Sequence, residues 1–156
     1  MANIGVLGAG SWGTALSVLL HDNGNQVTIW SIDPAEVEML SKEREHKTKL
    51  PGEIQITGEI QEAILEKDFL VLAVPSPFTR ATAKKMSPYV AEGQMIVDVA
   101  KGIEETTLMT LSEQIKEEIP QADVPRGRGR EKVADNLCDR CDDKKDGRVS
   151  AVCIYE

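Results

Sequence analysis

No apolar run in this chain approaches the length of a membrane span, so the sequence offers no candidate for one. The start, Met1-Ala2-Asn3, carries no basic leader and passes directly into an apolar segment, which is at odds with a secretory signal. Basic charge is also scarce. Against 26 Asp and Glu there are 18 Lys and Arg, a net charge of -8, which argues against a nucleic-acid partner and fits a cytoplasmic protein. Cysteine is missing until Cys138, and Cys141 and Cys153 follow. The length of 156 residues suits one domain with a real core and is short for two full domains. The acidic surplus is uneven, because the segment from Pro125 onward is nearly balanced and opens with Arg126-Gly127-Arg128-Gly129-Arg130.

What is present is a run of glycines behind an apolar stretch. Ile4-Gly5-Val6-Leu7 leads into Gly8-Ala9-Gly10-Ser11-Trp12-Gly13-Thr14-Ala15. The order predicts a strand, a tight turn and a helix whose N-terminus can hold a pyrophosphate. Gly8 serves the turn, Gly10 lets backbone N–H groups approach the phosphates, and Gly13 lets the helix pack close to the sheet. Unpaired N–H groups and the positive end of the helix would receive the anion. The alternative is that these glycines only pack a helix on a strand.

The context favours the ligand. Trp12, Ala15, Leu16, Leu19 and Leu20 recur at helical spacing as far as Gly24, and Gln26-Val27-Thr28-Ile29-Trp30 follows as a β-branched and aromatic strand. Strand, helix and strand form a βαβ unit whose right-handed crossover makes the strands parallel. About 20 residues beyond the glycines, where an acidic side chain usually meets the adenosine ribose, stands Asp33. It precedes Pro34, so it is equally suited to cap a helix through Ala35, Val37, Met39 and Leu40. Cap and ribose contact both remain open, and so does NAD against NADP.

Residues 40–50 read as a charged loop ending at the Pro51-Gly52 turn, followed by a strand at Ile54–Thr57 and a short helix through Ile60–Leu65. Phe69-Leu70-Val71-Leu72-Ala73-Val74 reads as a central strand buried on both faces. Pro75-Ser76-Pro77 and then Phe78 stand at its C-terminal end, where ligands of such sheets sit. A helix over Phe78–Ser87 leads to another strand, Met95–Val99, and Lys101-Gly102 lies immediately past it. Lys101 is either a cation at the ligand edge or a solvated loop lysine. A last helix is predicted over Leu108–Ile119, stopped by Pro120.

Taken together, Gly8-Ala9-Gly10-Ser11-Trp12-Gly13-Thr14-Ala15-Leu16, Leu50-Pro51, Ala73-Val74-Pro75-Ser76 and Ala100-Lys101-Gly102-Ile103-Glu104 resemble the N-terminal, cofactor-binding part of NAD(P)-dependent glycerol-3-phosphate dehydrogenase. The resemblance implies oxidation of sn-glycerol 3-phosphate to dihydroxyacetone phosphate with hydride passing to a nicotinamide. It also implies that Ser11 and Trp12 meet the pyrophosphate and nicotinamide side, that Pro75 and Phe78 border the cofactor, and that Lys101 bridges cofactor and substrate. The family's adenosine-side positions, often His or Arg, fall on Ile32 and Asp33, which tilts the cofactor toward NAD. The family's general-base lysine and phosphate-gripping arginine belong to a helical C-terminal domain beyond this chain, so the chain alone is expected to lack turnover.

The expected architecture is a Rossmann-type, doubly wound parallel α/β sheet over residues 1–124, left incomplete, with a poorly ordered or marginally packed tail over 125–156. An incomplete sheet leaves an edge open to self-association. Past Val124 the family continues into a Ser-Gly-Pro-Ser loop, and nothing like it follows here. The codons that could encode residues 125–147, read one nucleotide further on, allow His-Ala-Glu-Glu-Val-Gly-Lys-Lys-Leu-Pro-Thr-Thr, which resembles the family's sequence after that loop. After one unassigned residue the same frame allows Ala-Ile-Gly-Ala-Met-Thr-Lys-Lys-Thr-Ala. The tail therefore reads as an out-of-frame segment. In that light Cys138-Asp139-Arg140-Cys141 lacks a second half-site and reads as no metal site, and the arginine-glycine run reads as solvated chain. The rivals to an enzyme half are a non-catalytic nucleotide-binding module and an inactive gene fragment.

Overall fold

Five short, mostly aliphatic segments pair in parallel and build the centre of the protein, as seen in a computed structural model. The structure describes residues 1–100, 102, 103 and 107–124. Lys101 and the whole of 125–156, including the cysteines and the arginine-glycine run, lie outside the described residues.

In chain order the elements are β1 (Asn3–Leu7), α1 (Ser11–Asp22), β2 (Gln26–Trp30), α2 (Pro34–Glu43), β3 (Glu45–His46), β4 (Thr48–Lys49), β5 (Gln55–Thr57), β6 (Phe69–Leu72), α3 (Thr79–Met86), β7 (Met95–Asp98) and α4 (Leu111–Glu118). The main sheet runs β5-β2-β1-β6-β7, all parallel. One face buries Ile4, Val6, Ile29 and Val71 against Leu16 of α1 and Leu40 of α2. The other buries Leu7, Leu70, Leu72 and Ile96 against Ala83 and Met86 of α3, Ile115 of α4 and Ile119 just past its end. Both faces are covered, which is why these strands lack polar alternation. Sheet order and layers are those of the doubly wound fold expected from the sequence. Beyond β7, Asp123 alone among the described residues marks a sixth position, in a parallel bridge to Met95.

Four local readings are corrected. Helix α1 does not bury the stripe of Trp12 and Leu19, which are 49% and 43% exposed; it buries Gly13, Thr14, Leu16 and Ser17. A helix this close to the sheet needs small side chains inward, and the Ser17 hydroxyl satisfies itself by donating to the Gly13 carbonyl at 2.8 Å. Residues 40–50 are not one loop, since α2 continues to Glu43 and β3 and β4 form a hairpin turned at Lys47, φ 58°. Ile60–Ala63 is a 3-10 turn, and so is Ser76–Phe78 ahead of α3. Helix α4 starts at Leu111, because Thr110 accepts the Glu113 N–H while the Glu113 carboxylate accepts the Thr110 N–H, a capping box that fixes its first residue.

Candidate functional site

Trp30, Leu7, Leu72 and Asp98 lie side by side in one row across β2, β1, β6 and β7. Each is the last residue of its strand. The segments carrying Gly8–Gly13, Ile32–Asp33, Pro75–Phe78 and Gly102 therefore leave the sheet along a single edge. β1 lies where the chain order reverses, between β2 and β6, and the crevice at such a point is where ligands of this architecture bind.

The three fingerprint glycines have different reasons to be glycine. Gly8 has φ 121°, a left-handed value that side chains resist, and its N–H donates to the Trp30 carbonyl at 2.9 Å. At Gly13 a Cβ would fall 1.9 Å from the Gly8 carbonyl oxygen, so α1 could not seat against the turn. Gly10 is ordinary extended backbone, φ -62° and ψ 178°, and a Cβ there would meet no atom within 4 Å. Nothing among the described residues requires its smallness. It leaves open space directly in front of a helix N-terminus.

That N-terminus fits an anion. The Thr14 N–H reaches back to the Gly10 carbonyl at 2.9 Å, and the amides ahead of it have no carbonyl within the helix to bond. No side chain caps α1, and its first turn holds no acidic residue, so the positive end of the helix is not neutralised locally. Around it stand large apolar side chains left in solvent: Trp12, Ile32 at 63% exposure and Phe78 at 60%. Exposed apolar groups beside polar backbone are a usual lining of a cofactor site. A dinucleotide's pyrophosphate would be held by α1 and the Gly8–Gly10 turn, with Trp12, Ile32, Pro75 and Phe78 available to its rings.

Asp33 performs the cap: its Oδ1 accepts the Ala35 N–H at 2.9 Å. The cap takes one carboxylate oxygen and leaves the second without a role in the cap. Beside it the structure adds a residue the sequence reading missed. Ser31, almost wholly buried, donates its hydroxyl to the Glu36 carboxylate and accepts the Asp33 N–H at 3.1 Å. Two carboxylates thus stand at the end of β2. The signal was an acid at the third position of a capped helix, which reads equally well as dipole compensation.

At the other side of the row, burial pushes the Asp98 carboxyl up to about 6, against the opposing pull of the Ala100 N–H, which donates to Oδ1 at 3.1 Å. Gly102, φ 132°, brings the chain after β7 beside Ser76, whose Oγ would lie 3.5 Å from a Cβ at that position. Lys101, between Ala100 and Gly102, is outside the described residues. Among the described residues no group of His, Cys, Asp and Glu side chains could hold a metal ion.

Comparison with known proteins agrees with this geometry. The family model "NAD-dependent glycerol-3-phosphate dehydrogenase N-terminus" matches residues 3–126. A glycerol-3-phosphate dehydrogenase [NAD(P)+] of Agathobacter rectalis is 58% identical over 129 residues, covering 80% of this chain and 38% of that protein. The second such enzyme of Lactobacillus delbrueckii subsp. bulgaricus is 50% identical over 123 residues, covering 76% and 36%. Among solved structures, the glycerol-3-phosphate dehydrogenase of Coxiella burnetii superposes with a TM-score of 0.71 at 24% identity, covering 79% of this chain and 39% of that one, and shares the fold. The chain thus spans under two fifths of the curated relatives named here. By its glycine turn, its sheet order and a family match over most of its length, the chain belongs to the NAD-dependent glycerol-3-phosphate dehydrogenase N-terminal family.

Proposed function

We propose that residues 1–124 are the nicotinamide-dinucleotide half of an oxidoreductase that interconverts sn-glycerol 3-phosphate and dihydroxyacetone phosphate, with NAD preferred over NADP. The observation that carries this reading is Gly10, whose missing side chain leaves open space ahead of an uncapped helix N-terminus. Gly8, Gly13 and Ser11 frame the pyrophosphate, Trp12, Pro75 and Phe78 border the rings, and Ile32 and Asp33 face the adenosine ribose. The nicotinamide, when bound, supplies the hydride acceptor. Lys101 suits a bridge to the substrate, since a compact cation can hold an oxygen whose charge changes during the reaction. Hydride transfer also needs a base for the carbinol proton and an anchor for the phosphate, and none of the described residues is assigned to either.

This division predicts dinucleotide binding without turnover. NADH at one hundred times its Kd is expected to stabilise the chain by about 2.7 kcal/mol, read as a rise in Tm, while dihydroxyacetone phosphate produces no NADH oxidation. Turnover would show that these residues suffice for catalysis, and absence of any stabilisation would leave an inactive fragment. A non-catalytic nucleotide-binding module is supported by the same binding result, and joining these residues to a relative's C-terminal part separates the two, because only the enzyme half recovers activity.

Residues 125–156 are, on the same reading, an out-of-frame tail. The family match stops at residue 126, close to the change in composition. Resequencing the gene tests this, and an intact frame through the region overturns it. Cytoplasmic placement and self-association through an exposed sheet edge complete the proposal; no described helix is long and apolar enough to cross a membrane. Sedimentation at rising concentration reads the association.

A further inference from the structure

In the main sheet only β7 ends in an acid, Asp98. By alternation along the strand it shares the face of Ile96, which packs against α3 and α4, and by register it lies beside Leu72 of β6. Its Oδ1 accepts the Ala100 N–H at 3.1 Å, so the side chain closes a turn over the residues that follow the strand. The Val99 N–H donates to the Leu72 carbonyl at 3.1 Å and ties the same turn to β6. The chain leaving β7 is thus held at both residues before it reaches Gly102, beside Ser76.

This path joins the glycine turn. A Cβ at Gly8 would fall 2.5 Å from the Ala73 carbonyl oxygen, so the end of β6 abuts the fingerprint, and residues 73–76 carry the contact on to Gly102. Asp33 lies on the opposite side of β1, at the start of α2 after β2. A dinucleotide with its pyrophosphate at β1 and its adenosine toward β2 extends its other half over β6 and β7. Burial pushes the Asp98 carboxyl up to about 6, against the pull of the Ala100 N–H. On the helices covering its face, Arg80 pairs with Glu117 and Glu118, Lys116 donates to the Pro120 and Ala122 carbonyls, Glu113 caps α4, and Lys84 and Lys85 lie in the last turn of α3. Leu72, its neighbour on β6, carries no charge.

Resting on the dinucleotide reading above, we propose that Asp98 is a positioning residue: by accepting the Ala100 N–H it fixes the course of the chain from β7 to Gly102, and so shapes the side of the crevice that takes the nicotinamide half. Ionisation favours a carboxylate turned out to water, so the turn loosens as pH rises through about 6. The test titrates the full chain with NAD+ and with ADP-ribose, which lacks the nicotinamide, between pH 5 and pH 8, as wild type, Asp98→Asn and Asp98→Ala. Asparagine keeps an acceptor for Ala100 and cannot ionise. Wild type is expected to bind NAD+ about fivefold more weakly at pH 8 than at pH 5, and Asp98→Asn to hold the tighter value throughout. Asp98→Ala is expected to bind NAD+ about tenfold more weakly than Asp98→Asn, while ADP-ribose stays within about twofold in all three. If wild type binds neither ligand, the functional reading fails and this inference with it. If both bind but Asp98→Ala matches Asp98→Asn for NAD+, the hydrogen bond positions nothing and the inference is overturned, although the functional reading stands. Parallel loss of both ligands in Asp98→Ala marks general destabilisation and overturns it too. Should Asp98→Ala not fold, the other two chains decide, because equal pH profiles for wild type and Asp98→Asn sink the proposal.

Discussion

A methyl group at Gly10 would meet no protein atom, whereas one at Gly13 would press within 1.9 Å of the Gly8 carbonyl oxygen. The two alanine variants should therefore fail in different ways. Gly10→Ala is expected to keep its Tm and lose dinucleotide affinity by about tenfold, because the new Cβ stands where the phosphates must approach. Gly13→Ala is expected to lose about 2 kcal/mol or more of stability, since backbone rather than a flexible side chain must give way. Thermal melts with and without NADH distinguish them. Asp98 supplies a pH dependence. Its carboxyl is raised from 3.8 to about 6 in the folded chain, so the neutral form is favoured by folding. Its contribution is present below the unfolded value and is lost as pH rises through about 6, by at most about 3 kcal/mol. Asp98→Asn should accordingly be more stable than wild type at pH 8 and lose that advantage near pH 4, as denaturant melts would show. The fingerprint glycines were legible because backbone conformation and close approach demand that residue type. Glu36 and Asp98 were not, because their roles depend on Ser31 and on burial that only the fold creates.

Elements were legible where one force dominated. Buried parallel strands announce themselves as aliphatic runs, and β1, β2, β6 and β7 appear at or within a residue or two of their expected spans. Helix α1 was read to the right length but with the wrong inward face, because apolar periodicity points to Trp12 and Leu19 when close packing selects Gly13 and Ser17 instead. The exposed tryptophan stands in the first turn of α1, at the strand-end edge of the sheet. At α4 the pattern of leucines pulled the expected start back to Leu108, which proves to be exposed and at φ 59°. The capping box at Thr110 and Glu113 was in the sequence and is the better signal. Thr110→Ala should destabilise the chain by about 1 kcal/mol, and Thr110→Ser by much less, as urea melts would register.

For the whole molecule, the order β5-β2-β1-β6-β7 sets the ligand crevice beside β1 and leaves β7 as the side on which the sheet can grow. Three hydrogen bonds occupy the start of that growth: Gly93 N–H to the Gln121 carbonyl at 2.8 Å, Asp123 N–H to Gln94 at 3.0 Å and Ile96 N–H to Asp123 at 2.9 Å. Ala122, buried between them, packs with Ile115 and Ile119. On its β7 side the described part of the chain is therefore closed by this stitch and not by the last helix. A chain shortened to end at Val124 should melt like the 156-residue form. One shortened to end at Ile119 strips the stitch and bares the edge of β7, and it should unfold at lower temperature and be cleaved faster by protease.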